Sequence, residues 1–300
     1  MKSRVFKIWS ATITFFVILV LVIACRKEFL TNNTHNGARN LQIYLTDHPC
    51  PFDSVFVEIL FVEVRLDTGN CDDDDDDRPV GYHDNDDDQG DDDDDDDEHG
   101  CGSVWDTLAI SPGVYNIMDL RNGVDTLLAN GSLPAGNVKQ IRLTLGTNNS
   151  VVIGGTTYPL NLFPGSSHYA YVKLDDDELE HLSSGKYAIW LDFDICRSIV
   201  QYNGSYFLKP YLKAFTISRF GAVEGEVGPR AAKAFVTVYN YTDTGTAIPD
   251  DDGEFKIRGL IPGVYTVLFD GNNGYNDTIL YNVQVSAGRT TELRRISLSN

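Results

Sequence analysis

Short runs of β-branched and aromatic residues, separated by turns that contain Pro or Gly, most constrain what this chain can fold into. Residues 41–46 alternate apolar and polar side chains, and residues 55–66 are rich in Val, Ile and Phe; both patterns are typical of strands. Similar runs lie at 104–110, 139–145, 151–160, 169–174, 187–195 and 206–217. Turn sequences such as Pro112-Gly113 separate them. We therefore expect an all-β protein whose main unit is an antiparallel β-sandwich.

Residues 218–221 are expected to form a seam between two sandwiches. After them come strand-like runs at 234–239, 254–258, 264–269, 278–285 and 291–298. Their spacing fits a small second sandwich of about 80 residues, which is within the size range of an independent domain. The predicted organisation is a polar tether at 25–40, a larger sandwich at 41–218 and a smaller one at 222–300. Two segments of the larger unit, 116–129 and 175–182, are predicted to form short helices.

The N-terminus combines an early cluster of basic residues with an apolar stretch at 11–24, which ends in Val22-Ile23-Ala24-Cys25. This stretch is shorter than the ~20 apolar residues that span a bilayer, which favours a processed signal over a retained helix. Its ending resembles the lipobox of bacterial lipoproteins. The resemblance implies that residues 1–24 are removed as a signal peptide, that Cys25 is lipidated, and that the chain is anchored in the cell envelope, with the outer membrane as the expected location. An uncleaved N-terminal anchor is the alternative.

Acidity is concentrated in one segment. The chain has 24 basic and 44 acidic residues and a formal net charge of −20, and residues 72–100 alone contain 17 Asp and one Glu against one Arg. Nucleic-acid binding needs a basic patch, so this composition argues against such a partner. Crowded carboxylates attract counterions, and calcium accepts about six to eight oxygen ligands in irregular geometry.

We therefore expect weak, multivalent calcium binding by this Asp-rich loop and no other cofactor. The alternative is a solvated, disordered loop without a specific ligand. A defined EF-hand is not expected, because the glycine of segment 84–90 falls one position late. The candidate metal ligands are Asp84, Asp86, Asp88, Asp91, Asp92 and Asp93.

Four cysteines follow Cys25, and an even number in an oxidising compartment predicts two disulfides. Cys71 and Cys101 bracket the acidic run, so we predict a bond between them, provided that residues 63–68 and 103–108 pair as a hairpin. Cys50 and Cys196 then form the second bond. A bond between Cys50 and Cys101 remains the main alternative.

Candidate catalytic residues are few. Asp192 and Asp194 lie on one face of a predicted strand, ~7 Å apart by strand rise, a separation used by inverting glycosidases. Alternation with apolar residues and the presence of arginines nearby offer a structural explanation instead. His48 beside Asp47 and Cys50 is a conceivable nucleophilic set, but a turn at the following proline and a disulfide explain these residues more simply. We therefore expect a non-catalytic protein, with a glycan-hydrolysing enzyme as the alternative.

Aromatic residues of the larger sandwich raise the possibility of glycan binding. Aromatic side chains in strands more often belong to the core or to cross-strand pairs, and this is the preferred interpretation. The smaller sandwich is a further candidate glycan binder if it exposes two or three coplanar rings. The aromatic residues considered are Tyr169, Tyr171, Trp190, Tyr202, Tyr206, Phe207 and Tyr211.

Residues 222–298 resemble the carboxypeptidase regulatory-like, or transthyretin-like, domain family. The resemblance rests on Val223-Glu224-Gly225-Glu226-Val227, Asp251-Asp252-Gly253-Glu254-Phe255, Gly259-Leu260-Ile261-Pro262-Gly263-Val264-Tyr265 and Val285-Ser286-Ala287-Gly288. It implies a non-catalytic sandwich with a carbohydrate-binding-like fold, which acts as a spacer or a recognition unit.

Residues 41–217 resemble the domain of unknown function 4382 family, which is common in Bacteroidetes lipoproteins. The matching segments are 45–47, 113–116, 123–129, 139–143, 191–194, 197–200 and 208–210. Because the activity of that family is unassigned, the resemblance implies no mechanism. Together these features predict a lipid-anchored binding or scaffolding protein whose partners are the membrane and an envelope polysaccharide or protein.

Overall fold

The computed structural model describes residues 39–68, 103–174, 179–183 and 185–300. These residues fold into an all-β structure made of several sheets, so the predicted fold class is confirmed. We call the part formed by the first fifteen strands the first sandwich and the part formed by the last eight the second sandwich. Both belong to one compact unit. The predicted domain boundaries at 218 and 222 stay a prediction.

The first sandwich consists of two sheets. Its strands are β1 (Arg39–His48), β2 (Ser54–Asp67), β3 (Ser103–Thr107), β4 (Ala109–Ile110), β5 (Gly113–Asn116), β6 (Thr126–Leu133), β7 (Asn137–Leu145), β8 (Ser150–Ile153), β9 (Thr156–Leu162), β10 (Tyr169–Lys173), β11 (Glu180–Ser183), β12 (Lys186–Asp194), β13 (Ile199–Tyr202), β14 (Ser205–Leu208) and β15 (Leu212–Phe215). One sheet has the order β11-β12-β1-β6-β4, with β15 also paired to β12; the other has the order β10-β7-β2-β8-β9-β14-β13, with β3 and β5 also paired to β2.

The second sandwich also has two sheets. Its strands are β16 (Gly221–Gly228), β17 (Phe235–Tyr239), β18 (Thr244–Ala247), β19 (Glu254–Leu260), β20 (Gly263–Asp270), β21 (Thr278–Val285), β22 (Thr290–Glu292) and β23 (Ile296–Ser297). Strand β16 pairs with β19, β22 and β23, and the facing sheet has the order β18-β17-β20-β21.

Each sandwich has its own hydrophobic core. Apolar residues at alternate positions of β1, β2 and β7, such as Ile43, Val64 and Leu143, fill the first. Val223, Phe255 and Phe269 belong to the second. The apolar residues collect in these cores because they recur at every second position of the sequence, and alternate side chains of a strand point to opposite faces of its sheet.

The described part of the chain contains few helical residues. They form one α-helical turn, α1 (Ile195–Ser198), and two 3-10 turns at Ile117–Leu120 and Arg230–Ala232. The predicted helix over 116–129 is wrong: only its first third is a 3-10 turn, and residues from 126 onward form β6, which pairs with β1. Of the predicted helix over 175–182, residues 175–178 lie outside the described residues and 180–183 form β11. None of the helices in the described segments is long and apolar enough to cross a bilayer.

In the first sandwich, two of the described strand pairs depart from the antiparallel arrangement that we predicted. Strand β1 runs parallel to β12, and β14 runs parallel to β9. The parallel pair β1–β12 matters for the site, because the carboxyl ends of parallel strands lie at the same edge of a sheet.

Candidate functional site

The ends of β1 and β12 bring four titratable residues together. In their parallel register Thr46 lies opposite Asp192, and His48 lies opposite Asp194. Asp47, His48 and Asp192 are all at least nine-tenths buried. These residues belong to two unrelated sets in the sequence, Asp47 with His48 and Asp192 with Asp194, and the pairing of the strands makes them one cluster.

His48 joins the two sandwiches. Its Nδ1 lies 2.5 Å from Asp192 Oδ2, and its Nε2 lies 3.1 Å from the carbonyl oxygen of Arg258 in β19. The Arg258 carbonyl oxygen can only accept a hydrogen bond, and the contact with Asp192 is at ion-pair distance without the geometry of a hydrogen bond. Burial lowers the pKa of His48, but the negative charges of Asp192 and Asp194 outweigh it and raise this pKa above its ordinary value of 6.5.

Asp47 is buried without a hydrogen-bond partner. Neither of its carboxyl oxygens meets a donor among the described residues. Burial, followed by repulsion from Asp192 and Asp194, raises its pKa well above the ordinary value, and Arg121 only partly opposes this. Both effects favour the neutral acid over the carboxylate at this position.

Asp194 has a structural contact of its own. It caps helix α1 by accepting a hydrogen bond of 3.0 Å from the backbone N–H of Arg197, and it lies 3.5 Å from the guanidinium of that residue. Burial raises the pKa of Asp194, and the Arg197 N–H acts in the opposite direction. With Asp192 against His48 and Asp194 against Arg197, the two carboxylates of the glycosidase hypothesis serve the packing of the protein. This geometry favours the structural explanation.

A second buried ion pair crosses from β15 to the second sandwich. Lys213 Nζ donates to Asp243 Oδ1 over 2.6 Å, and Asp243 also accepts hydrogen bonds from the Ile261 N–H and the Tyr265 hydroxyl. Burial favours the neutral acid, but the Lys213 charge and these hydrogen bonds outweigh it and lower the pKa of Asp243. Burial and the neighbouring Asp243 charge raise the pKa of Tyr265.

A third contact involves Asp125, which precedes β6. Its Oδ2 accepts a hydrogen bond of 2.7 Å from Arg258 and one of 2.8 Å from the indole N–H of Trp190. Trp190 stacks on Tyr44 on one side and on Phe215 on the other, with ring centroids 5.2 and 6.2 Å apart. We call the contacts between the two sandwiches, centred on His48, Lys213 and Arg258, the joint.

The observed disulfide connects Cys50 to Cys196 with a Cα separation of 5.0 Å. It ties the chain after β1 to helix α1, next to the joint, where the Pro49 carbonyl accepts a hydrogen bond of 2.7 Å from Thr246 of the second sandwich. The predicted pairing of these two cysteines is confirmed. The alternative bond between Cys50 and Cys101 and the nucleophilic role of Cys50 are wrong, because the sulfur of Cys50 is already bonded.

The outer face of the β3-β2-β7-β10 sheet presents a different site. Glu63 accepts two hydrogen bonds of 2.8 Å from Arg142, and the Arg142 guanidinium lies 4.2 Å from the Trp105 ring centroid and 4.8 Å from that of Tyr169. The hydrogen bonds from Arg142 to Glu63 raise the pKa of the guanidinium. The Tyr171 ring centroid is 6.0 Å from that of Tyr169 and 6.5 Å from that of Trp105. We call these five residues the aromatic surface.

The rings of the aromatic surface are exposed: Trp105 by 39%, Tyr169 by 43% and Tyr171 by 47%. Tyr169 and Tyr171 were among the aromatic residues singled out from the sequence, whereas Trp105, Arg142 and Glu63 were not predicted as their partners. These residues are far apart along the chain, and only the pairing of Arg142 with Glu63 and Tyr171, and of Trp105 with Arg65, places them on one face.

The other aromatic candidates are partly core residues or members of ring pairs, as we expected for aromatic residues in strands. Trp190 is buried in the joint. The ring of Tyr206 contacts that of Tyr158. Phe207 and Tyr202 both contact the ring of Phe163, and Tyr211 lies against Arg197. In the second sandwich the exposed tyrosines at 239, 241 and 281 form no ring pair with one another among the described contacts.

Several predicted sites lie outside the described residues: Cys25, Cys71, Cys101 and the six aspartates at 84, 86, 88 and 91–93. Within the described ranges no group of three or more His, Cys, Asp or Glu side chains is arranged to hold a metal ion.

Comparison with known proteins identifies one family. Residues 39–210 match the family described as Domain of unknown function (DUF4382). The chain belongs to this family. The DUF4382 match covers the first sandwich up to Pro210 and therefore includes β1, β12, the disulfide and the aromatic surface. No curated protein matches the chain.

Solved structures with some likeness come from several bacteria. A cohesin–X-dockerin complex of Acetivibrio cellulolyticus is 28% identical over 26% of this chain and 56% of that chain, with a TM-score of 0.22. The minor pilin GBS52 of Streptococcus agalactiae is 11% identical over 86% of this chain and 96% of its own, with a TM-score of 0.20. A fimbrial protein of Bacteroides ovatus is 10% identical over 87% of this chain and 50% of its own, with a TM-score of 0.21. TM-scores this low carry no argument about function.

Proposed function

We propose that this DUF4382 protein is a non-catalytic scaffolding or binding protein that a lipid on Cys25 holds in the bacterial cell envelope. The joint is the observation that carries the scaffolding role. Contacts from His48 to the Arg258 carbonyl oxygen, from Lys213 to Asp243 and from Asp125 to Arg258 are buried or half-buried, and buried pairs with good geometry favour one relative arrangement of the parts they connect. A rigid pair of sandwiches presents a surface at a fixed distance from its anchor.

The placement of the acidic residues supports a non-catalytic role. The carboxylates that a glycosidase would need are used by His48 and by the cap of helix α1. In this proposal the second sandwich is a spacer or recognition module of the carboxypeptidase regulatory-like type, and the protein acts through its surfaces on an envelope polysaccharide or protein.

Anchoring is tested by a Cys25→Ala variant in a bacterial host. Wild-type protein should incorporate radioactive palmitate and fractionate with membranes, because the lipobox resemblance makes Cys25 the acceptor. The variant should remain an unprocessed precursor without label. A matched Cys50→Ala variant should still be labelled, since Cys50 forms a disulfide. Equal labelling of wild type and Cys25→Ala, or a wild-type protein that keeps Met1, would contradict the proposal.

A further inference from the structure

Two stretches of the first sandwich contain no Asp, Glu, Lys or Arg. They are residues 143–172 and 198–208, in a chain of which 23% is charged. The fold brings them together, because strands β8, β9, β14 and β13 all come from these stretches and lie in this order at one end of a sheet. This end of the sheet is therefore free of charge within a chain of net charge −20.

The outer face of these four strands is a mixed apolar and polar surface. Val151, Leu160 and Leu208 are fully buried in the core, so the residues that alternate with them point to the opposite side of the sheet. All of these outward residues are half-buried or exposed. We call them, together with the adjacent Phe163, the uncharged face: Ser150, Val152, Thr157, Pro159, Asn161, Phe163, Val200, Tyr202, Ser205 and Phe207.

An aromatic cluster lies at the β13 side of the uncharged face. The ring centroid of Phe163 is 5.8 Å from that of Phe207 and 6.3 Å from that of Tyr202, and Tyr202 is 54% exposed. The centres of protein interfaces are depleted of charged residues and enriched in aromatic ones. Edge-to-face and tilted rings, as seen here, are the usual geometry where aromatic side chains pack against one another. Composition and ring geometry therefore favour a protein as the partner.

A second copy of the chain is the partner that this composition favours. Interfaces of homodimers are more apolar than those between different proteins, and charged groups are what select among different partners. Two copies of the uncharged face meet without like charges opposite each other. Strand β13 also lies four strand spacings, or about 19 Å, from β2, which leads into residues 72–100. This distance is more than twice the ~8 Å Debye length at physiological ionic strength, so the charges at the root of that segment are screened from the contact.

The borders of the uncharged face carry charges of opposite sign. Glu58 of β2 and Asp53 just before that strand lie on the β8 side, because β2 pairs with β8. On the opposite side, Lys209 follows β14 and Arg197 precedes β13. Apart from the 3.5 Å contact of Arg197 with Asp194, none of these groups forms an ion pair with another described residue. The acidic border of one copy therefore complements the basic border of another.

One way of packing two copies face to face uses this complementarity. A two-fold axis that runs along the strands places the β8 border of one copy against the β13 border of the other, whereas an axis across the strands places like borders together. In the first arrangement Glu58 faces Lys209 of the partner subunit. The same contact occurs twice, because an interface with two-fold symmetry is isologous.

We propose that the uncharged face is the interface of a homodimer whose two-fold axis runs along the strands. The rings of Phe163, Tyr202 and Phe207 lie at the contact, and Glu58 and Lys209 pair at its borders. The side chains of the face are fewer than the roughly 20 to 30 residues that an interface of standard size takes from each partner, so the dimer should form at micromolar rather than nanomolar concentrations. The inference goes beyond the proposed function, because it names a second copy as a partner and does not depend on the lipid anchor.

Sedimentation velocity of the full-length protein in detergent, over a range of micromolar concentrations, measures the association. Wild type should pass from monomer to dimer within this range. Tyr202→Lys brings like charges into the contact and should weaken dimerisation at least about tenfold, whereas Tyr202→Phe keeps the ring and should dimerise like wild type. Tyr281→Lys, at a tyrosine of the second sandwich that is 68% exposed, is the matched control and should also dimerise like wild type.

Charge reversal tests the orientation of the two copies. Glu58→Lys and Lys209→Glu should each weaken dimerisation several-fold, because each places like charges opposite one another at both borders. The combined variant restores opposite charges and should dimerise like wild type. A loss of fold stability would not produce this rescue. A combined variant that dimerises more weakly than either single variant would overturn the inferred arrangement.

Other contrary outcomes overturn the dimer itself. They are a protein that stays monomeric at every concentration and a dimer that Tyr202→Lys leaves intact. A monomer that dextran retards in native gels, with the retardation lost in Tyr202→Lys, would assign the face to a neutral glycan and also overturn the inference. Circular dichroism and thermal unfolding establish that the variants fold. Because the assay does not require a lipid on Cys25, its failure is distinguishable from a failure of the proposed anchoring.

Discussion

At the scale of single residues, the charge of each group in the joint is set by its neighbours rather than by its own chemistry. Asp192 and Asp194 raise the pKa of His48 against the effect of burial, burial and the same two acids raise the pKa of Asp47, and Lys213 with two hydrogen-bond donors lowers the pKa of Asp243. The first and last of these groups connect the two sandwiches. The stability of the joint therefore depends on pH.

His48 should make the protein less stable as pH rises. Its pKa is raised in the folded protein, so its contribution is complete below the unfolded value of about 6.5 and is lost as pH rises through the folded pKa. We expect His48→Gln to lower the free energy of unfolding by roughly 3 kcal/mol at pH 6, and we expect this difference to shrink toward pH 9. Thermal unfolding between pH 5.5 and 9 measures it.

An exposed histidine provides the control for this experiment. His168→Gln should leave unfolding unchanged at every pH, because His168 is an exposed loop residue. Asp47 acts in the same direction as His48, since a carboxyl group whose pKa is raised also costs stability as pH rises. A difference between wild type and His48→Gln that stays constant from pH 5.5 to 9 would contradict a raised pKa of His48 in the folded protein.

At the scale of strands and turns, the β2–β3 hairpin is the element with the clearest consequence. The two strands pair from Glu63 with Thr107 to Asp67 with Ser103. The hairpin that we predicted between residues 63–68 and 103–108 is therefore confirmed. The last described pair, Asp67 with Ser103, lies four residues before Cys71 and two residues after Cys101.

We predict that Cys71 and Cys101 are bonded. A disulfide needs Cα atoms within ~7 Å, and the pair Asp67–Ser103 brings the two chains to the ~5 Å spacing of paired strands only a few residues from both cysteines. Peptide mapping of the non-reduced protein should yield one fragment that joins Cys71 to Cys101 and one that joins Cys50 to Cys196. Reduction should release both fragments. A free Cys71 or Cys101 in protein from an oxidising compartment would refute the prediction, and the observed Cys50–Cys196 bond would be unaffected.

At the scale of the whole molecule, two compact sandwiches are combined with one segment of extreme composition. The described residues contain buried ion pairs and no cluster of metal ligands, whereas residues 72–100 contain 17 Asp and one Glu. Any response of the protein to calcium should therefore come from that segment and leave the sandwiches unchanged.

We predict several weak calcium sites in residues 72–100, with dissociation constants nearer ~10⁻⁴ to 10⁻³ M than those of EF-hand sensors. Isothermal titration calorimetry should show binding that weakens with added salt, because salt screens the field of the carboxylates. Replacement of residues 72–100 by a short Gly/Ser linker should remove the signal and preserve thermal unfolding. Calcium binding that survives the replacement would place the site elsewhere, and no heat at millimolar calcium would favour the solvated loop.

The sequence by itself determined the class of the fold and most of its strands. Alternation with a period of two, bounded by Pro and Gly turns, is a local property that burial on one face of a sheet requires. Most of the predicted runs are strands, and the hairpin around the acidic segment is among them. The helix predicted over 116–129 failed because pairing of β6 with β1 outweighs local helical preference.

Only the tertiary structure decided which residues meet. The parallel register of β1 and β12 brings His48 to Asp192, which lie 144 positions apart, and the order β3-β2-β7-β10 brings Trp105, Arg142 and Tyr171 onto one face. Such contacts follow from the pairing of strands that are distant in the sequence. The alternating pattern of a strand predicts which face of the sheet a residue occupies, but it does not predict which residue lies beside it on the neighbouring strand. The sequence alone therefore indicated Asp192 and Asp194 as a catalytic pair, whereas in the fold Asp192 contacts His48 and Asp194 caps helix α1.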